Sequence, residues 1–228
     1  MPNRTVLLLG ATGLVGGHAL RVLSHDPAWG RVVTLGRREM PLASPRHAHH
    51  VVDFDRLDAH ADLFACDAVA CCLGTTIRTA GSRAAFRRVD LELPRETARR
   101  ARAAGATAAA LVSAYGADAG SRIFYNRVKG EAETALEAVG FPSLTVLRPS
   151  LLDGERDEVR LGERVGLAVL RPLAPLLVGP LRPLRPTPAE SVARALAASL
   201  AAAPPGVHRL GPDAIRARAA EQRAGGAR

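Results

Sequence analysis

Lysine is nearly absent from this chain. Of its 31 Lys and Arg residues only Lys129 is lysine, so positive charge is written as arginine everywhere else, and a merely solvated cation at position 129 would be expected as Arg. Aromatic residues are scarce too, at 4%, which removes the stacking platforms that single-stranded nucleic-acid binders use. The net charge of +9 does not restore that reading: the arginines are scattered through the chain rather than gathered in a stripe, and no specific nucleic-acid partner is expected. The cysteines Cys66, Cys71 and Cys72 form neither an even disulfide framework nor a CxxC pair, and read as buried, reduced thiols. Near the start, Val6 to Leu9 is a short apolar run broken at once by Gly10, too short for a signal-peptide core or a membrane span; a cytoplasmic protein is expected. His47, His49 and His50 have no Cys or carboxylate at supporting spacing, so they read as a solvated loop before a strand, with no metal site.

At 228 residues with 47% apolar content, the chain can bury one sizeable core. Apolar runs alternate with helix-period segments: "TVLLLG", "RVVTLG", "HHVVDF", "DAVACCLG", "TAAALVSA" and "LTVLRP". Several lack polar alternation, as expected of strands covered on both faces. Helices are predicted over Leu14 to Ser24, Ala84 to Ala104, Ser121 to Val139 and Pro188 to Ala203, the last with Thr187 as N-cap and Glu190 completing a capping box. The fold class expected is α/β, a doubly wound parallel sheet, in one domain over residues 1–211. Within it residues 155–186, with repeated proline and Arg171, Arg182 and Arg185, read as a substrate lid or interface segment and not as a membrane span. Residues 212–228 read as a flexible tail.

The stretch "VLLLGATGLVGGHAL" places Gly10, Gly13 and Gly16 between an apolar strand and a helix. Such a turn is tight, lets a pyrophosphate approach the backbone, and packs helix close to strand. Its phosphate-binding positions are Gly10, Thr12, Gly13, Leu14, Val15 and Gly16, at the positive end of the helix. After the second strand comes "TLGRRE": Arg37 and Arg38 stand where an NAD-selective site would carry an acid, and a guanidinium pair suits a 2′-phosphate. NADP(H) is therefore expected in preference to NAD(H). Asp53 is placed either to touch the adenine edge or to serve as a turn or cap residue. Leu73, Gly74 and Thr75 end the fourth strand, where the backbone would pass the cofactor ribose.

Tyr125 and Lys129 stand four residues apart on a predicted helix, so both leave the same face. An ammonium beside a phenol favours the phenolate, and lysine's compact head can reach between phenol and ribose hydroxyls better than a planar fork. Ser113 ends the fifth strand, where its hydroxyl can donate to an oxygen gaining negative charge.

The glycine turn, Ser113, Tyr125-x-x-x-Lys129 and "LRPSLLDGE" with Arg148 and Pro149 resemble the short-chain dehydrogenase/reductase superfamily, on its extended or atypical side. The stretches "CCLGTTIRTAG" and "FRRVD" are similar to its small NADP-binding, Tat-interacting-protein-like group. The resemblance implies a Rossmann fold, Ser113 orienting a substrate carbonyl, Tyr125 as proton donor or acceptor, and Lys129 tuning the tyrosine and holding the nicotinamide ribose. Arg148 and Pro149 are carried over as cofactor-binding positions. The chain departs from the family in lacking an Asn-rich motif after the fourth strand, which leaves the proton relay beyond Lys129 unassigned. The function expected is an NADP(H)-dependent oxidoreductase acting on a small carbonyl or alcohol, as monomer or homodimer. The alternatives are a cofactor-binding redox sensor without turnover and a nucleotide-sugar epimerase or dehydratase, the latter disfavoured by the short C-terminal region.

Overall fold

A computed structural model describes residues 4–153 and 185–225. Its strands are β1 (Thr5–Leu9), β2 (Arg31–Gly36), β3 (His47–Val51), β4 (Ala68–Cys71), β5 (Ala108–Val112), β6 (Ser143–Leu147), β7 (Leu152–Asp153), β8 (Thr187–Pro188) and β9 (Gly206–Leu210). Seven of them form one sheet in the order β3-β2-β1-β4-β5-β6-β9, every pair parallel. β7 and β8 pair separately. The helices are α1 (Leu14–His25), α2 (Ile77–Ala80), α3 (Arg83–Arg87), α4 (Leu93–Ala103), α5 (Phe124–Glu137), α6 (Ala189–Ala202) and α7 (Pro212–Gly225). A 3-10 segment covers Leu57–Phe64, and a π-helical turn over Arg88–Glu92 joins α3 to α4.

The unalternating strand runs have a simple cause: the sheet is buried on both faces. Val6 and Leu8 join one core with Val15, Leu20 and Leu23 of α1 and Val192 and Leu196 of α6. Leu7 and Leu9 join the opposite core with Phe86, Ala98 of α4 and Val128 and Leu136 of α5. Each fully buried leucine of this kind contributes about 1.5–3 kcal/mol relative to exposure, so consecutive apolar residues in one strand stabilise two helical layers at once. The order reverses between β1 and β4, and that switch point opens a crevice at the carboxyl ends of the strands.

Several expectations are corrected here. His47, Ala48, His49, His50 and Val51 form the edge strand β3, paired with β2, not a solvated loop, and His47 is buried. Thr187 does not cap α6. Pro188 holds that position without a side-chain bond, and Thr187 pairs with Leu152 while its hydroxyl meets the Ser150 hydroxyl at 2.8 Å. The expected tail forms α7 over most of its length; Ile215 is fully buried and Ala219 nearly so, which a frayed end would not achieve. Most of the expected lid, residues 155–184, lies outside the described residues.

Candidate functional site

The glycine turn is built by close approach. Gly10 has φ +78°, and a Cβ on it would stand 2.6 Å from the Cys72 carbonyl oxygen. A Cβ on Gly16 would stand 1.9 Å from the Gly10 oxygen. Neither position admits a side chain. The Gly13 N–H donates to the Gly10 carbonyl at 3.0 Å, and α1 then starts without a side-chain cap or an acidic residue in its first turn. Its leading N–H groups and positive dipole end lie at an exposed turn, Thr12 and Gly13. This is the donor set that a pyrophosphate takes. Leu14 is half-buried and Val15 and Gly16 are buried, so they seat the helix and leave the backbone to do the binding.

At the end of β2, Arg37 and Arg38 are both exposed and border a surface cavity of about 400 Å³. Neither guanidinium has a side-chain partner among the described residues. Asp53 is exposed; its carboxylate accepts from the Asp55 N–H at 2.9 Å and its carbonyl from the Arg56 N–H at 3.0 Å, which makes it a turn residue with one carboxylate oxygen to spare. These features leave an exposed, basic rim beyond the end of β2.

Lys129 is deeply buried, 5% exposed, and its Nζ lies 2.7 Å from Asp90 Oδ1. Burial disfavours the ammonium, but Asp90 and then Tyr125 outweigh it and hold the Lys129 pKa above the usual lysine value. The second carboxylate oxygen of Asp90 accepts from the Thr75 N–H at 2.9 Å, tying the loop after β4 to the same pair. A Cβ on Gly74 would stand 3.7 Å from Lys129 Nζ, so the ammonium sits against the loop that follows β4. Tyr125, one turn before Lys129, is 38% exposed; its ring tilts against Phe86 with centroids 5.8 Å apart.

The structure therefore brings together Tyr125, Lys129, Gly74 and Thr75. No hydrogen bond joins Ser113 to Tyr125 among the described residues. Ser113 is buried, and its hydroxyl donates to Glu133 of α5, itself 3% exposed. Arg148 binds the same carboxylate through Nε at 3.0 Å and Nη2 at 2.5 Å, so its guanidinium is committed to Glu133. Glu133 in turn holds that guanidinium charged, raising its pKa. Pro149 contributes a carbonyl that accepts from the Tyr115 N–H at 2.8 Å.

Sequence reasoning missed two carboxylates, and both left a trace. Asp90 sits four residues after Phe86 and three before Leu93, a charge inside an apolar helical stripe. Glu133 continues the spacing of Tyr125 and Lys129 by one more turn on one face of α5. Among the described residues, no group of three or more His, Cys, Asp or Glu side chains is disposed to hold a metal ion. No described helix is long and apolar enough to cross a membrane.

Residues 6–136 match the model of the NAD dependent epimerase/dehydratase family. The chain belongs to this family. It is 38% identical over 167 residues to Protein HTATIP2 of Rattus norvegicus, covering 72% of this chain and 69% of that one. It is 36% identical over 167 residues to the protein fmp52, mitochondrial, of Emericella nidulans, covering 70% and 72% respectively. Among solved structures, MoeE5 in complex with UDP-glucose and NAD superposes with a TM-score of 0.68 at 17% identity, covering 95% of this chain and 81% of that one. The UDP-glucose 4-epimerase of Thermotoga maritima gives 0.66 at 16% identity, over 91% and 76%. At those identities the structural likeness establishes the fold: this member of the family has the parallel Rossmann-type sheet of extended short-chain dehydrogenases/reductases.

Proposed function

We propose that this family member is an NADP(H)-dependent oxidoreductase acting on a small carbonyl or alcohol. The observation that carries the reading is the buried Lys129 ammonium, set beside Gly74 at the end of β4 and one helical turn from the exposed Tyr125. When bound, NADP(H) supplies or accepts the hydride. The uncapped start of α1 would hold the pyrophosphate, and Arg37 and Arg38 the 2′-phosphate. Asp53, Leu73, Gly74 and Thr75 would line the adenosine and ribose path.

Tyr125 exchanges a proton with the substrate oxygen. Lys129 keeps its charge because Asp90 faces it, and that charge would serve both the tyrosine and the ribose of a bound cofactor. Ser113 would orient the substrate oxygen by turning its hydroxyl from Glu133 toward it.

The bond from Ser113 to Glu133 also supports a second reading, a cofactor-binding sensor without turnover, because the hydroxyl that would orient a substrate already has an acceptor. A panel of carbonyl compounds followed at the NADPH absorbance, with Tyr125→Phe as control, separates the two. Turnover by the wild type and its loss in the variant support the oxidoreductase. Equal inactivity with intact cofactor binding supports the sensor.

A further inference from the structure

The Arg38 carbonyl is held by a run of hydrogen bonds in which the position of every proton follows from a single donor. The Ala43 N–H donates to His47 Nδ1 at 2.9 Å. That nitrogen is an acceptor, so the neutral ring carries its proton on Nε2, which donates to Thr34 Oγ1 at 2.8 Å. The Thr34 proton then goes to His49 Nδ1, also at 2.8 Å, with Met40 Sδ at 3.9 Å a far poorer acceptor. His49 therefore carries its proton on Nε2, which donates to the Arg38 carbonyl at 2.9 Å.

Thr34 is fully buried and His47 nearly so, and a buried polar group left without a partner is costly. Each member is thus constrained by the next. Gly36 completes the arrangement: a Cβ there would stand 2.8 Å from His49 Cε1 and 3.4 Å from the Arg38 carbonyl oxygen. Only a bare backbone at the end of β2 lets the imidazole lie across it and reach the next turn.

We propose that Thr34, His47 and His49 are positioning residues for cofactor selectivity, a proton-ordered relay that fixes the Arg37–Arg38 turn for a nucleotide bearing a 2′-phosphate. This rests on the NADP(H) preference proposed above. The relay touches no cofactor itself. It acts through the carbonyl of Arg38, and its loss lets the two guanidinium groups wander from the phosphate while the glycine turn keeps its grip on the pyrophosphate. Burial, and after it the neighbouring His49, lowers the His47 pKa, which favours the neutral ring that this proton order requires.

The test is titration of the full chain with NADPH and with NADH, read by cofactor fluorescence. It compares the wild type with His49→Phe, with the near-isosteric Thr34→Val, and with His49→Gln, which keeps a side-chain N–H donor. The wild type is expected to bind NADPH more tightly. His49→Phe and Thr34→Val are expected to weaken NADPH by about tenfold, the scale of one lost hydrogen bond, with NADH affinity within about twofold of wild type; His49→Gln recovers part of the loss. A wild type that binds both cofactors equally overturns the NADP(H) reading and the relay with it. A wild-type preference that persists in His49→Phe and Thr34→Val overturns the relay alone. So does a parallel loss of both cofactors, which would mark a purely structural role, or a His49→Gln variant no better than Phe.

Discussion

Lys129 Nζ and Asp90 Oδ1 lie 2.7 Å apart, both side chains buried. Removing one partner of such a pair leaves an uncompensated buried charge, at a cost of about 3–5 kcal/mol. Lys129→Met and Asp90→Leu should each lose stability on that scale in urea titrations. The double variant should lose much less than the sum. Additive losses would mean that the two groups do not act as a pair.

Lys129→Arg keeps the charge and discards the compact head. NADPH affinity and turnover should fall together, each by about tenfold or more, the equivalent of roughly 1.4 kcal/mol. Unchanged values in both would make the lone lysine incidental.

Gly16→Ala places a methyl 1.9 Å from the Gly10 oxygen, backbone that cannot move without dragging β1. Overpacking of this kind costs about 1–3 kcal/mol or more. A lowered thermal midpoint is expected together with loss of binding to NADPH and NADH alike, in contrast to Arg37→Ala and Arg38→Ala, which should weaken NADPH selectively. Retained cofactor binding in Gly16→Ala would remove the glycine turn from the site.

Acid should destabilise the fold through histidine. His47 is held below its ordinary value of 6.5 by burial and then by His49, and His18 by burial and then by Arg21. Between 6.5 and those lowered values the unfolded chain binds more protons than the folded one, so stability is full above 6.5 and falls as pH drops below it. The urea midpoint at pH 5.5 should lie below that at pH 7.5, and His47→Gln should flatten the difference.

The thiols should be inert in the native state. Burial, reinforced by Asp67, pushes Cys66 up to about 12, and burial pushes Cys71 up to about 11 and Cys72 higher still. Reaction with a thiolate-selective reagent at pH 8 should be slow when folded and reach three groups per chain in denaturant; a fast native phase of one group would point to Cys72, the half-buried thiol just after β4.

The sheet was legible because its strands are read locally: unbroken apolar runs such as "TVLLLG" mean burial on both faces, and glycine spacing marks the turn that follows. β3 was misread because three histidines in five residues look solvated. Thr34, a small polar residue on the neighbouring strand, gives the buried His47 and the half-buried His49 their partner, and cross-strand pairing is not visible along one strand. The helix pair Tyr125 and Lys129 was legible from spacing alone. Their partners were not, since Asp90 reaches Lys129 across 39 positions and Glu133 reaches Ser113 across 20. The N-cap at Thr187 failed for the same reason: a local signature lost to a distant bond with Ser150.

The burial of Lys129 has a consequence for surface chemistry. Across these 228 residues the sole side-chain amine is 5% exposed, so the folded protein presents almost no lysine nitrogen. Lysine-directed reagents, cross-linkers and lysine-modifying enzymes would have to enter the crevice to find a side-chain amine. Labelling of Lys129 would then be a direct gauge of how often that crevice opens, and a bound dinucleotide should silence it.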